Sequence, residues 1–156
     1  MSQQAFRELI ASVTSCIGDR PLDARLAGDL NASFGPGTPT YDAIREQCTA
    51  AIDAGWMCNR EAGGIRYGRV AKPDDALHRF SVDVVDMDDV VGPHHVHPQG
   101  EIDLVMPFAE GARFDGQPAG WVVYPPGSAH HPTVAGGRAL VLYLLPEGRI
   151  EFTAAR

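Results

Sequence analysis

The sequence predicts a mainly β protein, an antiparallel sandwich, jelly roll or barrel, preceded by a segment of about three α-helices. Three observations lead there. Apolar spacing changes near Gly63 from a period close to 3.6 to a period close to 2. Beyond that point the chain breaks into short β-branched runs separated by Gly, Pro and Asp. No helical patterns interleave with those runs, so the crossovers that a parallel sheet needs are missing. At 156 residues one hydrophobic core is comfortable and two would be small. Residues 1–62 are therefore read as a helical segment packed on a β domain of 63–156, one folding unit overall.

Phe6, Leu9, Ile10, Val13 and Ile17 recur at three- and four-residue intervals, one face of a helix that Gly18 and Pro21 end. A second helix, from Pro21 to Ser33, tolerates proline in its first turn and keeps Leu22, Leu26 and Leu30 in register. FGPGTPT at 34–40 is a break. It leads to a third helix capped by Thr38 or Thr40, with Tyr41, Ile44, Cys48, Ala51 and Ile52 as its stripe and Gly55 at its end. The expected strands are IRYGRV, HRFSVDVVDM, HHVHPQGEIDLVMP, GWVVYPP, HHPTVAG, RALVLYLLP and RIEFTA.

Charge and cysteine usage narrow the function. A net charge of −7 repels phosphate backbones and anionic lipid, so neither nucleic acid nor membrane is an expected partner. Three scattered cysteines without a CxxC pair suggest reduced, mostly buried thiols, and with no signal-like or spanning segment in view a cytoplasmic location is expected. Asp83, Asp86, Asp88 and Asp89 lack the alternating ligands and glycine of a calcium loop and read as a solvated strand end or turn.

Five of the six histidines fall in two tight groups, His94, His95, His97 and His130, His131. His95 and His97 share one face of an extended strand, and Glu101 and Asp103 return to that parity after the Pro98–Gly100 turn. A Pro-Gly turn then delivers His130 to the start of another strand. Imidazoles and a carboxylate together suit a divalent first-row metal with positions left open for water or substrate. His94 and His131 point to the opposite strand faces, and imidazole titrates near neutral pH, so either can carry a proton.

At these residues the sequence resembles the cupin superfamily: His95-Val96-His97-Pro98-Gln99-Gly100-Glu101 matches HxHxxxE, and Pro125-Pro126-Gly127-Ser128-Ala129-His130 carries PxGxxH. The resemblance spans roughly 65–152. It implies a cupin (jelly-roll) β-barrel and a single divalent metal (Fe, Mn, Zn or Ni) held by His95, His97, Glu101 and His130. Departures from the family pattern are Asp89, Phe108 and Ala119 where glycines are usual, and Val134 where asparagine is usual. They bear on loop lengths more than on ligands.

The helical start joined to a small cupin is similar, more narrowly, to the 4-hydroxylaminobenzoate lyase family of nitroaromatic degradation. That resemblance implies an ammonia-releasing lyase forming protocatechuate, with Glu101 and His131 as candidate catalytic proton carriers. An aromatic carboxylate substrate calls for flat apolar walls and a guanidinium. Trp121 and Tyr143, with Val105 and Val123, are the expected walls; Arg66 and Arg79 are the expected anchors, with Arg69 and Arg60 as further candidates. The same ligands also serve cupin dioxygenases or isomerases acting on another small carboxylate, and a non-catalytic small-molecule binder is the alternative from another class. Small cupins pair through sheet edges, so a homodimer or higher homo-oligomer is expected.

Overall fold

The computed structural model describes residues 2–153. Helices α1 (Gln3–Ile17), α2 (Ala24–Phe34) and α3 (Pro39–Ala54) occupy the first third. Ten strands follow: β1 (Arg60–Ala62), β2 (Ile65–Ala71), β3 (Phe80–Val91), β4 (His95–His97), β5 (Glu101–Pro107), β6 (Arg113–Phe114), β7 (Gly120–Tyr124), β8 (Ser128–His130), β9 (Thr133–Pro146) and β10 (Glu151–Phe152). α2 begins later than its proline suggests, because Asp23 caps it by accepting a hydrogen bond from the Leu26 amide at 3.0 Å. Thr38, not Thr40, caps α3. Ala154, the end of the expected last strand, lies outside the described residues. No helix among those described is long and apolar enough to cross a membrane.

The strands form two antiparallel sheets. The larger runs β1-β2-β3-β9-β5-β7, with β6 also paired to β9; the smaller runs β10-β4-β8. The small sheet lies over one face of the large one, giving the two-walled jelly roll that the patterning predicts, without one continuous ring of hydrogen bonds. Side-chain parity sorts the large sheet into two environments. Val82, Val84, Ile102, Leu104, Leu140, Leu142 and Leu144 face outward and pack against Phe6, Ile10, Leu26 and Ile44 of the helices. Met87, Val105, Val141, Tyr143 and Leu145 face inward with Phe114 and Val134.

Asn31 joins the helical layer to the edge of the sheet. Its side-chain amide donates to the Trp121 carbonyl at 3.0 Å, and its oxygen accepts from the Trp121 amide at 2.7 Å, as a neighbouring strand would. Edge strand β7 is thereby closed. Gly120 allows the approach: at φ +130° it has no Cβ, and one placed there would meet the Asn31 oxygen at 2.7 Å.

A second device occupies the position of a usual family glycine. Asp89 adopts φ +43° in a bulge of β3, and its carboxylate accepts from the Gly136 and Gly137 amides at 2.7 and 3.3 Å. The glycine pair that reads as a break between two strands is therefore a kink inside one long strand, β9. The acidic run is a solvated strand end only in part: Asp88 and Asp89 are exposed near the end of β3, whereas Asp83 and Asp86 are not. It lies within β3, where Arg69 engages Asp83, and Arg138 grips the buried Asp86 through two 2.9 Å hydrogen bonds.

Two outcomes follow from this packing. Replacing Asn31 with alanine leaves the Trp121 amide and carbonyl unpaired and is expected to destabilise the protein by about 1–3 kcal/mol in urea unfolding. Cys16 is exposed, whereas Cys48 and Cys58 are buried and burial pushes the Cys58 thiol up to about 12. Thiol titration of the native protein at pH 8 is expected to label Cys16 rapidly and the other two only on denaturation.

Candidate metal centre

Strand register builds the cluster. β4 and β8 are antiparallel with His95 opposite His130 and His97 opposite Ser128, so three imidazoles reach the inner space from two short neighbouring strands. The chain reverses between β4 and β5 at Pro98–Gly100. Gly100 sits at φ +90°, and a Cβ there would meet Leu22 at 2.6 Å and the Tyr124 carbonyl at 2.8 Å, so only glycine fits. That turn places Glu101 at the start of β5, on the opposing sheet and beneath the histidines.

The four ligand atoms lie within 4.8 Å of one another. Glu101 Oε1 is 3.5 Å from His95 Nε2 and 3.2 Å from His97 Nε2, and Oε2 is 3.8 Å from His130 Nε2. The His95 and His130 Nε2 atoms face each other at 3.1 Å. Donors bound to one ion at about 2.0–2.1 Å are separated by distances of this size. His95, His97 and Glu101 are buried, and His97 Nε2 and both Glu101 oxygens have no hydrogen-bond partner of acceptable geometry. Buried polar atoms are ordinarily satisfied, and a shared cation would satisfy these together. By this test the residues present fit a divalent metal.

The supporting atoms fix the rings. His97 Nδ1 meets Ser128 Oγ at 3.0 Å. His130 Nδ1 meets Asp115 Oδ2 at 2.5 Å, and that oxygen also accepts from the Tyr124 hydroxyl at 2.6 Å. Asp115 Oδ1 accepts from the Thr133 amide at 3.0 Å. With each Nδ1 engaged, Nε2 of His97 and His130 is turned inward as the ligand atom. Burial alone would raise the Asp115 pKa, but hydrogen bonds from His130 and Tyr124 hold it below the usual carboxylate range. Burial would likewise raise Glu101, but the imidazoles of His95 and His97 close beside it outweigh burial and lower it. Asp103, two residues along and fully buried, is pushed up by burial and then by the Glu101 charge.

A cavity of about 690 Å³ opens onto His95 and Tyr143. Trp56, Met57 and Cys58, the link from α3 to β1, form one wall; Tyr67, Val85, Met87, Ile150 and Phe152 form much of the rest. Of Trp121, Tyr143, Arg66 and Arg79, only Tyr143 lines it. Trp121 faces the helices and donates from Nε1 to the Phe34 carbonyl at 3.1 Å. Val123 shares that face, and Val105 packs in the inner core. Arg66 lies on the outward parity of β2, 3.8 Å from Asp86. Arg79 sits in the turn before β3, paired to Glu147 at 3.0 Å. Arg60 and Arg69 do line the cavity.

His131 lies outside the cluster, its ring 4.9 Å from that of His94, on the other side of the small sheet. Asp115, Ser128 and Tyr124 are not singled out by the sequence. The Asp115-Gly116 pair reads only as a turn, and the left-handed φ of +50° that aims its carboxylate at His130 has no sequence signal of its own.

A family model described as PnbB: 4-hydroxylaminobenzoate lyase matches residues 8–152. A 4-hydroxylaminobenzoate lyase of Nocardioides sp. (strain LMS-CY) is 37% identical over 145 residues, covering 84% of this chain and 86% of that protein. One from Pseudomonas putida is 33% identical over 153 residues, covering 87% of each. Among solved structures, an RmlC-like cupin protein from Ralstonia eutropha JMP134 aligns over 58% of this chain and 60% of its own at 15% identity, with a TM-score of 0.43.

Removing the Asp115 carboxylate should loosen His130 without deleting a ligand. Asp115→Asn is expected to weaken divalent-metal affinity about 10–100-fold in chelator competition, and Ser128→Ala less. His97→Ala should abolish stoichiometric binding.

Proposed function

The chain belongs to the 4-hydroxylaminobenzoate lyase family, and from that membership together with the cluster under the cavity we propose that it converts 4-hydroxylaminobenzoate and water to protocatechuate and ammonia. The observation that carries the reading is a buried set of three imidazoles and one carboxylate opening on a cavity walled by aromatic and aliphatic side chains. Atoms balance with one water consumed and no oxidant, because the N–O bond of the substrate is the electron acceptor for hydroxylation of the ring.

His95, His97, Glu101 and His130 would hold a divalent metal, which when bound would supply Lewis acidity toward the N-hydroxyl oxygen. The N–O bond breaks with hydroxide as leaving group, one water adds to the ring carbon ortho to the nitrogen, and a second water hydrolyses the resulting imine C–N bond to release ammonia, for a net consumption of one water. The protein holds these four side chains rigid on paired strands, so little reorganisation accompanies reaction. Its apolar walls restrict bulk water around the ring. Glu101 is a ligand and so is not a free base. Tyr143 is kept neutral by burial first and by the Glu101 charge second. Its ring lines the cavity with its centroid 6.4 Å from that of His95, a proton-bearing group on the wall at the His95 end.

Purified protein given 4-hydroxylaminobenzoate should release protocatechuate and ammonia in equal amounts without consuming oxygen, both ring hydroxyls taking their label from ¹⁸O-water. Chelation or His97→Ala should lower turnover by about three orders of magnitude or more. Full activity after metal removal would overturn the metal-centred reading, and oxygen uptake matched to turnover would replace the lyase by a dioxygenase.

A further inference from the structure

Three charged side chains line the cavity that opens on His95: Arg60, Arg69 and Asp83. Two of them satisfy each other. Arg69 Nε and Nη2 donate to the two Asp83 oxygens at 2.9 and 3.2 Å, and Nη2 also reaches the Gly148 carbonyl at 3.4 Å. The guanidinium fork facing Asp83 is thus already filled by a carboxylate. Arg60 differs. It lies on β1 directly across from Tyr67, is exposed at the cavity rim, and pairs with no acid among the described residues.

The cavity therefore carries one net positive charge, on a protein whose total is −7. Beside that charge the wall carries Tyr67, Val85 and Met87 on the inward parity of β2 and β3, while Asp83, already held by Arg69, lies opposite Tyr143. A flat anion with its charge at one end and its reacting group at the other matches this distribution. Arg66, one residue from Tyr67, is excluded by parity: it faces the other side of the sheet, beside Asp86.

We propose that Arg60 anchors the carboxylate of the substrate, so that the ring lies along Tyr67 and Val85 and the para nitrogen points to the His95 end. This rests on the reading of the protein as a lyase of a hydroxylamino-aromatic carboxylate. Arg60 is a positioning residue that sets specificity for acids; its planar fork donates to two carboxylate oxygens, and as a rim group it is free to do so without breaking an existing pair.

The test compares 4-aminobenzoate with 4-aminobenzamide, unreactive probes of nearly equal shape that differ in charge, by calorimetry on the metal-loaded protein. The wild type should prefer the acid by about 10–100-fold, the span of one charge-assisted pair. Arg60→Ala should remove most of that preference while holding its affinity for the amide, and Arg60→Lys should restore part of it. With 4-hydroxylaminobenzoate the loss in Arg60→Ala should fall on KM rather than on kcat. A preference that survives Arg60→Ala, or that disappears in Arg69→Ala alone, overturns the assignment. Turnover by a wild type with no acid preference also overturns it and leaves the lyase reading standing; an acid preference lost in Arg60→Ala without any turnover supports the anchor and sinks the lyase reading.

Discussion

A carboxylate with no exposed surface lies beneath three imidazoles, and the arrangement of the β domain follows from keeping it there. An ionised group out of water is tolerated only when opposite charge or hydrogen-bond donors surround it. Here they come from another sheet. β5 brings Glu101, β4 and β8 bring the histidines, and both the glycine turn between β4 and β5 and the antiparallel register of β4 with β8 are needed for the atoms to meet. Asp115 extends the requirement outward, tying His130 to Tyr124 on β7 and to the Thr133 amide at the start of β9.

Parity in the large sheet then separates support from chemistry. One face is committed to the helices, which cover it with aliphatic side chains and close edge β7 through Asn31. The other faces the cluster and the cavity. Neighbours in sequence consequently have unrelated roles: Arg66 stabilises Asp86 on the helical side, while Tyr67 and Arg69 look into the cavity.

Helix positions, the change to β patterning, and the grouping of His95, His97, Glu101 and His130 were all legible in the sequence, because each depends on local spacing or on a turn that glycine and proline announce. What was not legible depends on pairing. Trp121 has the composition of a cavity wall, yet the pairing of β7 with β5 places it opposite Leu104, on the helical face. Arg79 looks available until Glu147, distant in sequence, is brought beside it. Asp115 carries no sequence signal until the fold sets its carboxylate against His130 of β8, and Asp89 looks like a lost glycine until its carboxylate is seen to cap the β9 kink while its backbone keeps a left-handed conformation.

The link between α3 and β1 has a wider consequence. Trp56, Met57 and Cys58 wall the cavity, as do Arg60 and Tyr67, yet none of these residues supplies a ligand or contacts the atoms that orient one. The histidine strands and the carboxylate strand hold the cluster, and the stretch 56–69 forms much of the cavity wall beside it. Substitution in 56–69 would therefore reshape much of the cavity wall while leaving His95, His97, Glu101 and His130 in place, a separation of lining from cluster that falls at the helix-to-sheet junction.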